Sequence, residues 1–217
     1  SRFVGVCSMR WLCRQQTLRC FGAALLLGSV RTQSLATSAL SSDMSRQWGV
    51  VEKIPGQLDA FRLFMRDDGT FPNNSDYPLI LYKSCFHGSQ REAEKSITKG
   101  GWTSPWVWGI FTFHHYHSAA WELLLCIRGE ARVQLGGGTG PIVTIEKGDL
   151  ILIPPGFAHK QLSDSGDFAL LGAYPDETGH AVDTVRGRPT ENQRRSIKAC
   201  KAPRKDPILE IDLSSLY

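Results

Sequence analysis

Between Ile110 and Tyr174 the sequence falls into runs of four to eight residues separated by turn chemistry, and this spacing constrains the fold most. An ordinary helix needs about 10–12 uninterrupted residues, so these runs read as strands. They are Ile110–His117, Glu122–Ile127, Ala131–Leu135, Ile142–Ile145, Leu150–Ile153, His159–Leu162 and Phe168–Ala173. Arg128-Gly129-Glu130, Gly136–Pro141, Glu146–Asp149 and Ser163–Gly166 supply the turns. Many short strands joined by tight turns predict a mainly β chain, closed as a sandwich or small barrel.

The flanks differ. Leu79–Lys83 reads as a further strand, whereas Gln57–Phe64 shows no firm periodicity. Ser89-Gln-Arg-Glu92 has capping-box form and Gly100-Gly101 follows Lys99, which predicts a helix of about ten residues. Thr190-Glu-Asn-Gln193 opens a second helix running to about Cys200. Trp102, Trp106 and Trp108 suit a core edge or a homodimer contact, with substrate stacking as the alternative. The expected divisions are a presequence (1–44), a strand and helix extension of the barrel (45–108), a metal-binding core (109–175) and a C-terminal helix and tail (176–217).

The net charge of +4 misleads until it is divided. Residues 1–42 hold five arginines and no acid, leaving 20 basic and 21 acidic side chains in the other 175 residues. So bland a body argues against a nucleic-acid surface. An arginine-bearing, serine-rich, acid-free leader suits mitochondrial import. Its apolar run Cys20–Val30 keeps a secretory signal as the alternative, and Met44 offers an internal start for a cytoplasmic form. Eleven apolar residues fall short of the roughly 20 that span a bilayer, so no stable membrane insertion is expected. The body's cysteines, Cys85, Cys126 and Cys200, form no C-x-x-C pair, which points away from zinc fingers and disulfide frameworks.

The chemistry concentrates on four residues. Alternate strand residues share a face, so His115 and His117 point together while His114 points away. Phe111 and Phe113 share the histidine face as walls of a substrate pocket. Glu122 opens the next strand and can fold back beside the pair, and His159 arrives from another strand pair. Three imidazoles with one carboxylate suit a divalent transition metal (Fe, Mn, Ni, Cu or Zn) rather than Ca or Mg. Four ligands in octahedral geometry leave two positions open for a small-molecule substrate, alone or with O₂. Glu122 is then both ligand and candidate catalytic proton carrier. By strand parity Cys126 and Gln161 join the candidate pocket, Cys126 with a buried structural thiol as its competing role.

Gly109, His115, His117, Glu122 and Gly129 match G-x5-H-x-H-x3,4-E-x6-G, and Gly148, Pro154, Gly156 and His159 match G-x5-P-x-G-x2-H-x3-N, with Ser163 in place of the final Asn. The chain thereby resembles the cupin superfamily. Phe71-Pro-Asn-Asn, Ala131–Gly137, Gly172-Ala-Tyr-Pro and Lys201–Pro207 extend the likeness, over roughly residues 58–210, to the YjlB-type single-domain cupins. The resemblance implies a double-stranded β-helix (jelly-roll barrel) with a few short flanking helices, and metal held by His115, His117, Glu122 and His159. Related cupins with this ligand set include dioxygenases and oxidases, so a metal-dependent oxidoreductase acting on a small organic acid or enol is expected. A metal-dependent isomerase or lyase, or a non-catalytic binding or structural cupin, is the alternative.

Overall fold

The computed structural model describes residues 50–56, 59–103, 105–175 and 182–217. The presequence expected over 1–44, with Met44, lies outside them. Among the described residues, ten strands form two antiparallel sheets. The larger runs in the order β1 (Val50–Ile54), β2 (Asp59–Met65), β3 (Asn74–Lys83), β8 (Leu150–Ile153), β5 (Glu122–Arg128), β10 (Ala169–Ala173), β4 (Trp106–Trp108). The smaller is β7 (Ile142–Glu146), β6 (Glu130–Leu135), β9 (His159–Asp164). The fold is mainly β, of the jelly-roll kind. β3 pairs with β8 and β4 with β10, so both join one sheet with the central strands.

Alternation along β5 and β8 divides the apolar residues into two layers. Leu124, Cys126, Ile151, Ile153 and Leu170 point inward to meet Val133, Leu135 and Ile145 of the smaller sheet. Leu123, Leu125, Leu150, Leu152 and Leu171 point outward, under a cover of Ala93 and Ile97 from helix α1 (Gln90–Lys99) and Leu213 and Leu216 from the C-terminal tail. With both faces covered, central strands read as continuous apolar runs, as Leu123-Leu-Leu-Cys126 does. Glu122 takes its inward direction from this parity, at the end of the face that carries Leu124 and Cys126.

Both helices begin where the capping boxes predict, at Ser89 for α1 and Thr190 for α2 (Glu191–Ala199). The expected strand Ile110–His117 does not form. Instead the segment makes single bridges on both sides: His115 exchanges backbone hydrogen bonds with His159 (3.1 and 3.0 Å), and Tyr116 with Val185 (3.1 and 2.9 Å). It is wedged between β9 and residues 182–188, so it never aligns with one partner long enough for a ladder. Three strands escape the sequence pattern. β1 and β2 alternate weakly, and β4 is three residues long and defined only by its partner. Pro78 within β3 is tolerated because it precedes the β3–β8 ladder, which starts at Ile80, and lies beside the register shift in β2.

Two backbone approaches fix the turn before His159. Gly156 has φ +85°, and a Cβ there would lie 2.5 Å from the Asn73 carbonyl oxygen. Asn73 itself is buried at φ 48°. Its Nδ2 donates to the carbonyls of Arg66 (2.8 Å) and Gly136 (3.1 Å), and its Oδ1 accepts from the Ala158 amide (3.2 Å). Asn73→Ala removes these bonds while keeping a left-handed backbone, so it should destabilise the protein by about 2–4 kcal/mol. Urea denaturation reads this; a loss below about 0.5 kcal/mol, the range of neutral surface substitutions, would contradict it.

Candidate metal centre

Three chain segments deliver the site. The wedged segment brings His115 and His117, the start of β5 brings Glu122, and the start of β9 brings His159. All four side chains are buried, at 1–5% exposure. One ring nitrogen from each histidine lies within 4.8 Å of the others, a group that could hold a metal ion. Glu122 Oε2 stands 3.4 Å from His117 Nε2 and 3.2 Å from His159 Nε2.

The backbone turns each imidazole. His115 Nδ1 lies 3.3 Å from the Phe113 carbonyl, His117 Nδ1 2.5 Å from that of Asp183, and His159 Nδ1 3.2 Å from that of Phe157. An Nδ1–H donated to a carbonyl leaves the lone pair on Nε2, the tautomer a metal requires. Asp183 is fastened in turn, its carboxylate accepting from the Ser118 amide (2.7 Å) and hydroxyl (2.6 Å).

Inside this frame His117 Nε2 and Glu122 Oε2 are buried without a hydrogen-bond partner, because their 3.4 Å approach lacks hydrogen-bond geometry. Orphaned buried polar atoms are rare and costly, and a cation among them would satisfy both. The donor set therefore fits a divalent transition metal.

Burial pushes His115 down to about 3, with His159 adding to the effect, so it is neutral at physiological pH. Burial also acts to lower His117, but the Glu122 carboxylate outweighs it and the net shift is upward. Burial acts to raise Glu122, and His117 overrides it, holding the carboxyl well below its ordinary range. Without metal, the Glu122 charge thus favours an imidazolium at His117 beside it.

A cavity of about 190 Å³ adjoins the cluster, walled by Trp106, Trp108, Ile110, Phe111, Leu124, Tyr174 and Thr184. Trp108 is 60% exposed at its rim. Phe111 lines this space. Phe113 is absent from the lining and stacks behind Phe111, ring centroids 4.7 Å apart. Cys126 is not at the cavity either, a correction to its candidate pocket role. It shares Glu122's face but lies four residues further along β5, in the sealed core, its thiol donating to the Arg128 carbonyl at 3.4 Å. Gln161 is likewise outside the lining; its Oε1 accepts from the Ile110 amide (3.3 Å), so it holds the segment carrying Phe111. His114 turns away, against Phe71. Ser163 is exposed on β9, remote from the cluster, so the departure from the second motif leaves the donors untouched.

Two site residues escaped the sequence pattern. Tyr174 donates its hydroxyl to Glu122 Oε1 at 3.3 Å, and burial followed by the Glu122 charge raises its pKa. Its place directly after the buried run Ala169–Ala173 was the available signal. Asp183 acts through its carbonyl, which no sequence pattern reveals.

The Cupin domain family model matches residues 97–170. The YjlB protein of Bacillus subtilis is 40% identical over 147 residues, covering 67% of this chain and 87% of the relative. A glucose-6-phosphate isomerase of Thermococcus gammatolerans is 28% identical over 82 residues, covering 36% of this chain and 43% of the enzyme. Among solved structures, the salicylate 1,2-dioxygenase of Pseudaminobacter salicylatoxidans aligns with 70% of this chain and 36% of its own, at 12% identity and TM-score 0.30.

Binding an ion must expel the proton that Glu122 favours on His117. Metal titration at pH 6.5 in buffers of different ionisation enthalpy should therefore show proton release, with apparent affinity rising with pH. No release would mean that His117 is already neutral in the free protein.

Proposed function

The chain belongs to the cupin family, and we propose that it is a metal-dependent oxidoreductase, of the dioxygenase or oxidase kind, acting on a small organic acid or enol. His115, His117, Glu122 and His159 hold one divalent transition-metal ion. The observation that carries this reading is the inward-facing, partnerless pair of His117 Nε2 and Glu122 Oε2 beside an open cavity. A purely structural ion is sealed on all sides. Here the donors line a cavity whose wall includes the exposed Trp108.

A bound ion would supply Lewis acidity and, if redox-active, electron transfer with O₂. The protein does the rest. Glu122 and Tyr174, joined by their hydrogen bond, form a proton path from the cluster to the cavity wall. Aromatic walls exclude water from the reacting end of the substrate. Pockets for drug-sized ligands start near 300 Å³, so about 190 Å³ suits a ligand of a few carbons.

A metal-dependent isomerase is the second reading, favoured by the partial likeness to glucose-6-phosphate isomerase and by the same Glu122–Tyr174 pair. O₂ consumption separates the two. Iron- or copper-loaded protein should take up O₂ with small 2-hydroxy acids or enols; turnover of such a substrate without O₂ uptake would exclude the oxidoreductase reading. Tyr174→Phe should retain the ion and lower kcat about 10–100-fold, the scale of a lost proton-transfer partner. Unchanged kcat would remove Tyr174 from the proton path.

A further inference from the structure

The three tryptophans crowded before the histidine segment part company in the fold. Trp102 is buried in the outer layer of the large sheet. Trp106 and Trp108 instead wall the cavity that holds the cluster, together with Phe111. Trp106 lies so close against β10 that a Cβ on Gly172 would stand 2.0 Å from its ring. Trp108 meets Phe111 edge-to-face, ring centroids 5.0 Å apart. Trp106 and Phe111 are half-buried, whereas Trp108 stays exposed and keeps apolar surface that a ligand can cover.

This wall differs chemically from the cluster it adjoins. Beyond the three histidines and Glu122, none of the described residues lining the cavity is a lysine, arginine or aspartate. The polar groups left are the Tyr174 hydroxyl, engaged with Glu122, the Thr184 hydroxyl and the indole N–H groups. A charge on the far end of a ligand would exchange water for aromatic rings with no opposite charge beside it, a costly transfer. An apolar end gains from the same move. Space is sufficient: an apolar cavity of about 150 Å³ already takes one benzene ring, and this one measures about 190 Å³.

We propose that Trp106, Trp108 and Phe111 form a subsite for the apolar end of the ligand, so that the cavity selects monoacids with an aryl or short alkyl end. The oxyanion head lies at the histidine cluster and the apolar end packs on Trp108. This rests on the metal reading above. Trp108 is the specificity-determining residue, because most of the apolar surface that such an end would cover is its own.

Calorimetric titration of the metal-loaded protein with four acids that share a 2-hydroxy acid head tests the assignment: lactate, 2-hydroxyvalerate, mandelate and 2-hydroxyglutarate. Mandelate should bind about tenfold or more tightly than lactate, the scale of burying a few apolar carbons. 2-Hydroxyglutarate, with a carboxylate where 2-hydroxyvalerate has a methyl, should bind more weakly than 2-hydroxyvalerate. Trp108→Ala, at an exposed position, should cut the mandelate-to-lactate ratio about threefold or more, with lactate affinity and metal content unchanged. Trp108→Phe, which keeps a ring, should retain most of the ratio. Equal affinity for lactate and mandelate, tighter binding of 2-hydroxyglutarate than of 2-hydroxyvalerate, a ratio that survives Trp108→Ala, or failure of all four acids to bind would overturn the proposal while the metal stays in place. A protein that takes up no metal on loading would instead bring down the metal reading, and this inference with it.

Discussion

The site depends on three carbonyl oxygens. Those of Phe113, Phe157 and Asp183 each lie by an imidazole Nδ1 and so decide which nitrogen faces the centre. Two lie two residues before the histidine they orient, where local chain geometry suffices. The third is brought from 66 residues away by the 182–188 segment. That segment is secured by the Ser118–Asp183 hydrogen bonds and the Tyr116–Val185 bridge, so the stiffness of His117 is borrowed from a part of the chain that follows the barrel. Orienting partners of this kind contribute to metal affinity alongside the ligands themselves.

The barrel supplies the other half of the geometry. Leu123 and Leu125 fill the outer layer beneath α1 and the C-terminal tail, and the alternating parity turns Leu124 inward and sets Glu122 at the mouth. Gly156 allows the turn before His159 to pass within contact of Asn73. A buried carboxylate is tolerated there because His117 and His159 stand within 3.4 Å. Burial, charge and tautomer agree at one point in the molecule, and the cavity opens onto that point.

Much of this was legible in the sequence because it follows from period and spacing. Strand parity separated His115 and His117 from His114 even though no regular strand forms there, since an extended segment alternates its side chains with or without a ladder. The capping residues placed both helix starts. Parity failed for Cys126, because sharing a face with Glu122 says nothing about depth along the strand. It also failed for Gln161, whose amide is occupied with the backbone of Ile110. Tyr174 and Asp183 were not legible as site residues. They lie beyond the last strand, where no periodicity reports direction and tertiary contact alone decides it. β4 was hidden for a related reason: Trp106-Val-Trp reads as an aromatic cluster until Gly172 of β10 is seen to make room for the Trp106 ring.

Imidazoles from two distant segments, with one carboxylate, are the donors proposed to close on a single ion. X-ray absorption at the metal edge of the loaded protein reads that shell. It should show nitrogen and oxygen only, with the outer-shell multiple scattering of about three imidazoles. A sulfur shell, or an all-oxygen shell without imidazole scattering, would contradict it.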